Sequence, residues 1–190
     1  MKVLPRHVPG EVGIWVLVFV DLTVFGSLFV NYALVRGSGS PDALPGMGEF
    51  DRMLGCLNTL ILLTSSWAVA MAIATLRRVP GGGPTTVPGR MILAAAALGL
   101  AFIGIKVFEY AQKLEAGITP MTGSYYNFYF SMTGLHLFHV VVGIGVLLWM
   151  YGRAGRMAGP ADLRVIECGG IFWHMVDLLW IVIFPLLYLM

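Results

Sequence analysis

Ionisable side chains recur inside the long apolar runs of this sequence: Asp21, Lys106, Glu109, Lys113, His136, His139, Glu167, His174 and Asp177. A charge at mid-bilayer costs about 3 kcal/mol even on lenient scales, so each should face a partner, a water-filled cavity or another subunit. His136 and His139 are three residues apart and share one helix face; Glu167 and His174, seven apart, share another. At about 1.5 Å of rise per residue, Asp21, His136 and His174 reach similar depth from three different segments, and His139 and Glu167 both approach one end. The spacing predicts an inter-helix polar seam, with His136 near His174, His139 near Glu167, and Asp177 extending the line. Such a seam can be a hydrogen-bonded clamp, a proton relay or half of a carboxylate-bridged metal site. No paired Glu-x-x-His motif completes a metal site, so none is expected. A b-type haem held by two of the histidines would need an open cavity, for which a short chain leaves little room.

Asp21 stands alone in its segment, with no basic residue within two turns. It is either a neutral structural group or a buried acid that exchanges protons with a water-filled crevice. Lys106, Glu109 and Lys113 follow i, i+3 and i+7, so one helix face carries an ion pair flanked by a second cation. Long basic side chains near a helix end can snorkel to water, with Glu109 neutralising them. Tyr125, Tyr126, Tyr129, Trp149 and Tyr151 read as an interfacial aromatic belt without chemistry. Cys56 and Cys168 lack a CxxC or zinc pattern and read as packing thiols.

The elements that carry these residues follow from composition. Of 190 residues, 58% are hydrophobic and 12% charged, about half the charge of an ordinary soluble domain. A bilayer core needs roughly 20 apolar residues per helix, and five runs qualify: residues 12–35, 54–76, 91–114, 125–151 and 165–189. They are too long and continuous for barrel strands. The expected fold is all-α, a polytopic transmembrane bundle of five helices forming a single membrane domain over residues 1–190. Gly/Pro-rich turns join the runs at 37–48, 79–89 and 152–160. Small residues, among them Ala68, Ala70, Ala72, Ala74, Gly134, Gly143 and Gly145, suit close helix packing.

Lys2 and Arg6 before the first run resemble a signal peptide, but Asp21 interrupts it and no small-residue cleavage site follows, so the span is expected to be retained. Lys2, Arg6, Arg77, Arg78, Arg90, Arg153, Arg156 and Arg164 fall on one side; the other holds Arg36, Arg52 and Lys113 beside Asp42, Glu49, Asp51 and Glu115. The positive-inside rule then puts the N-terminus in the cytoplasm and the C-terminus outside. A net charge of +2 offers no field for nucleic acid.

Four ordered motifs, LNTLILLTSS (Leu57–Ser66), FEY (Phe108–Tyr110), TGLHLFHVVVG (Thr133–Gly143) and WHMVDLLW (Trp173–Trp180), resemble cytochrome c oxidase subunit III, the haem–copper oxidase subunit III family. Their order matches the last five helices of its seven-helix members, so the resemblance covers nearly the whole chain. The short chain, its start PGEVGIWVLVFVD and the stretch KVFEYAQKLEAGITPMTGSYYNFYF are more similar to the NorE-type branch, associated with bacterial nitric oxide reductase in denitrification. The resemblance implies a non-catalytic accessory subunit of the bacterial inner membrane, with no cofactor of its own. Haem, iron or copper would belong to the partner, either the nitric oxide reductase large subunit or oxidase subunit I. In oxidase members a buried acid at the position of Asp21 is associated with sustained proton uptake; here it is Asp instead of Glu, one methylene shorter. Larger members bind phospholipid in a cleft formed with two further helices, which this chain would need a neighbour to complete. Two competing functions are an aa3-type oxidase subunit III in aerobic respiration and, from another class, a proton or small-solute transporter using Asp21 and the histidines. Against the transporter, the sequence shows no inverted repeat.

Overall fold

The structure, a computed structural model, describes residues 10–38, 52–78, 86–154 and 160–189. Lys2, Arg6, Asp42, Glu49, Asp51 and Arg156, used above for orientation, lie outside the described residues, as does most of the three Gly/Pro-rich turns. Five helices follow in order: α1 Val12–Gly37, α2 Arg52–Arg78, α3 Thr86–Glu115, α4 Ser124–Ala154 and α5 Pro160–Phe184, the last passing into a π-helical turn, Pro185–Leu189. Every one is long and apolar enough to cross a membrane. The chain is an all-helical, multi-pass membrane protein.

The helices outrun their apolar cores because polar residues suit their ends. Arg77 and Arg78 close α2 and Arg153 closes α4, where cations complement the helix dipole. Pro160 opens α5, a position that needs no N–H. After α3, Gly117 takes φ +77°; its N–H reaches the Leu114 carbonyl, and that of Ile118 reaches Lys113, 2.9 Å away. This pair of bonds satisfies the last carbonyls of the helix. Pro185, without an N–H, ends the α-helical ladder of α5 and starts the wider turn.

Helices α2 to α5 pack as a bundle, and α1 lies outside it against α4 and α5. The burial is unequal: 56% of the apolar window of the last span is inside the protein, against 11% for α1. Two fully buried tryptophans make α5 the centre. The Trp173 indole N–H donates to Ser65 Oγ at 3.1 Å, and the Ser65 hydroxyl to the Ala95 carbonyl at 3.0 Å, tying α5 through α2 to α3. The Trp180 N–H donates to Thr59 Oγ1 at 3.1 Å. Phe102, His136 and Trp180 then pack as one layer, Phe102 edge-on to the other two, with ring centroids 4.8 to 5.6 Å apart. Cys56 departs from the packing role expected of it, since it is exposed, whereas Cys168 is half-buried and accepts the Glu11 N–H.

Trp173 fits because α4 offers it a glycine. A Cβ on Gly143 would stand 2.7 Å from the Trp173 ring, while one on Gly145 would meet nothing within 4 Å. Gly143→Ala is therefore expected to cost about 1–3 kcal/mol, as overpacked cores do. Gly145→Ala should leave stability unchanged or slightly raised. Unfolding midpoints in a detergent titration check both, and equal midpoints for the two variants would refute the packing argument.

Candidate functional site

The most deeply buried charges lie where α3 meets α4 and the C-terminal turn. Lys106, fully buried, and Glu109, 4% exposed, are one helical turn apart. The Lys106 ammonium donates to Glu109 Oε2 at 3.0 Å, to the Tyr188 hydroxyl at 2.8 Å and to the Tyr129 hydroxyl at 3.2 Å. Each tyrosine spends its proton on Glu109 Oε1, at 2.7 Å. All three ammonium protons are used, and both carboxylate oxygens accept. The rings of Tyr110, Tyr129, Trp180 and Tyr188 surround the ammonium at 5.2 to 5.5 Å, and Lys113 approaches Tyr129 at 5.2 Å. Lys106 and Lys113 therefore do not snorkel; their charge is held inside by hydrogen bonds and ring faces. Tyr129 and Tyr125 also leave the aromatic belt proposed for them: Tyr129 is fully buried, and Tyr125 donates to the Leu187 carbonyl at 3.0 Å.

Asp21 faces α4. Its Oδ1 lies 3.4 Å from His139 Nε2, with Asp21 21% and His139 12% exposed. The other ring nitrogen, Nδ1, is 2.8 Å from the Leu135 carbonyl. A carbonyl only accepts, so Nδ1 carries a proton, and Nε2 is the ring nitrogen turned to the carboxyl. At 3.4 Å this contact is longer than an ordinary hydrogen bond. Phe25, Phe138 and Phe172 wall the imidazole.

The expected seam between α4 and α5 is replaced by contacts to other helices. His139 meets Asp21 instead of Glu167. Glu167 Oε1 accepts from Arg77 Nε of α2 at 2.8 Å, and its Oε2 from the Gly10 N–H at 3.2 Å. His174 Nδ1 lies 2.6 Å from Ser66 Oγ, also on α2, instead of near His136. The cause is helix phase. Residues seven apart share a face, and α5 turns the face holding Glu167 and His174 to α2, because Phe172 and Trp173 occupy the side packed on α4. His136 and Asp177 are buried and, with Asn58, have side-chain polar atoms without a hydrogen-bond partner among the described residues. His136 is packed by the rings of Phe102 and Trp180.

Chemically, the Lys106–Glu109 network is buried and its ammonium and hydroxyl protons are all spent within it. Asp21 and His139 form a partly exposed acid–imidazole pair. Among the described residues, no three His, Cys, Asp or Glu side chains converge as a metal would require. Lys106→Met is expected to destabilise by about 3–5 kcal/mol, because it leaves Glu109 buried without its counter-charge. Adding Glu109→Gln should recover much of that loss. Denaturation midpoints of the two variants test this; a double variant no better than the single one would contradict it.

Comparison with known proteins gives this geometry its setting. The family model described as cytochrome c oxidase subunit III matches residues 10–190. The chain is 28% identical to a protein named "Probable quinol oxidase subunit 3" from Staphylococcus haemolyticus, over 95% of this chain and 88% of that one. It is 31% identical to "Cytochrome c oxidase subunit 3" of Thermostichus vulcanus, over 94% and 86%. It is also 29% identical to "Heme-copper oxidase subunit I+III" of Aeropyrum pernix, over 92% of this chain and 22% of that one. All five helices fall within the matched residues, and the chain belongs to the cytochrome c oxidase subunit III family.

Proposed function

We propose that this chain is the non-catalytic third subunit of a membrane haem–copper oxidoreductase, packed beside the catalytic subunit in a bacterial plasma membrane. The observation that carries this is the family match across residues 10–190. The name "subunit I+III" of the Aeropyrum pernix relative supports subunit I as the neighbour. The accessory role is supported by the use made of the ionisable residues. Lys106, Glu109, Glu167 and His174 are engaged in contacts between helices. Haem, iron or copper, and the electron transfer through them, belong in this reading to the partner. The positive-inside pattern supports an N-terminus in the cytoplasm.

Within the family, the relatives named as quinol and cytochrome c oxidase subunits support an oxidase. The brevity of the chain does not argue for another branch, since the match covers 88% of the Staphylococcus haemolyticus protein. A second reading, the NorE-type subunit of nitric oxide reductase, rests on the PGEVGIWVLVFVD start and the KVFEYAQKLEAG stretch. In either complex, Asp21 with His139 is the group we assign to proton exchange, because an acid and an imidazole lie 3.4 Å apart and both are partly exposed.

Purifying the tagged chain at native expression separates the readings. An oxidase subunit I in the eluate with a haem absorption band supports the first reading, and a nitric oxide reductase large subunit the second. Neither partner in the eluate would refute both. In the assembled complex, Asp21→Asn should keep subunit content and initial rate while activity declines faster over prolonged turnover. A time course identical to the parent complex would remove Asp21 from proton supply.

A further inference from the structure

Along the flank of the bundle, α2 and α5 leave a groove of about 240 Å³. Small residues open it: Ala70 and Ala74 on α2, and Gly170 on α5, which packs directly against Ile73. One end is closed by Arg77 and Glu167, the other by His174. Glu167 and His174 are seven residues apart on α5, so the two ends are about 10 Å apart along the helix.

Arg77 brings donors to one end beside the Glu167 carboxylate that it neutralises, and His174 brings an imidazole to the other, so that together they carry no net charge. Arg77 gives its Nε to Glu167, which neutralises the guanidinium and leaves its terminal NH₂ groups. His174 has Nδ1 engaged by Ser66, which leaves Nε2 for the groove. In the tautomer in which Ser66 donates, the one the proposal below requires, Nε2 carries the imidazole proton. In that tautomer the groove is an apolar slot between small side chains with a hydrogen-bond donor at each end.

An uncharged planar ring with a carbonyl on each of two opposite edges suits that arrangement. Each carbonyl accepts one hydrogen bond of about 2.9 Å, and an apolar tail leaves the slot toward the lipid. A phosphodiester is a poorer match, because the guanidinium it would seek is already paired with Glu167. We propose that the α2–α5 groove binds the head group of a lipid-soluble quinone. The molecule is held, and no electron passes to or from this chain. The proposal rests on the function above only for the user of the quinone, an adjoining catalytic subunit.

The full chain, reconstituted in quinone-free phosphatidylcholine nanodiscs, tests it with a photoreactive azidoquinone. Saturable labelling on the peptides holding Ala70–Arg77 and Glu167–His174, displaced by decylubiquinone, is the expected result. Ala74→Leu, which fills the slot from its rim, should weaken decylubiquinone binding by tenfold or more. His174→Leu should weaken it about tenfold, one hydrogen bond's worth, while Ser66 turns to the carbonyl four residues back. Absence of saturable labelling in the unmodified chain, or equal binding by Ala74→Leu with an unchanged melting temperature, would overturn the proposal. Displacement by phosphatidylglycerol but not by decylubiquinone would do so as well, marking a phospholipid groove. Loss of quinone binding with co-purification intact sinks this proposal alone; failed co-purification with quinone bound sinks only the proposed function.

Discussion

A carboxylate inside an apolar bundle must be given donors enough to replace the water it has lost, and Glu109 sets that requirement for this fold. Lys106 cancels its charge but fills only one of its oxygens. The other is filled by Tyr129 from α4 and Tyr188 from the C-terminal turn. The same two hydroxyls satisfy the ammonium, so four side chains from three segments complete one another. Their demand fixes how α3 meets α4 and why the chain turns at Pro185 in a wider helical form that brings Tyr188 back toward Lys106. Trp180, 5.3 Å from the same ammonium, carries the arrangement into the Phe102–His136 layer.

Helix α1 is held on a different principle. It buries only Phe25 and Tyr32, too little apolar surface to fix it by packing alone. Polar contacts make up the difference: Glu167 and Cys168 take the N–H groups of Gly10 and Glu11, and Asp21 meets His139. Gly10 suits this junction because its φ of +77° lets the chain turn onto α5, where Ile171 leaves no room for a side chain. Glu167 thus belongs to two joints at once, closing α2 through Arg77 and α1 through Gly10.

The helices were legible in the sequence because a bilayer-length apolar run has few other folds open to it. The partners of the polar residues were much less so. Depth can be counted along a helix, and counting placed Asp21 level with His136 and His174; the structure sets it against His139, one turn from His136. Rotation cannot be counted, because it depends on which large side chain finds room. Trp173 finds it over Gly143, and that single fit carries Glu167 and His174 round to α2. Tyr129 was misread for a related reason, since an aromatic near a span end suits an interface equally well. The signal that could have found it lay in Glu109, a buried acid with one lysine in its turn and an oxygen still to satisfy.

The division between closed and open polar groups is what connects this architecture to a role in a larger assembly. A network such as Lys106–Glu109–Tyr129–Tyr188 is buried and spends its protons within itself, so its contribution is to hold α3, α4 and the chain end in one arrangement. Asp21 meets His139 while both stay partly exposed, and Asp21 sits on the helix that the bundle grips least. A group that must exchange protons needs a path to water, which a fully packed core denies it. The shallow seating of α1 costs apolar burial, a cost that a neighbouring subunit packed on the exposed face of α1 would offset.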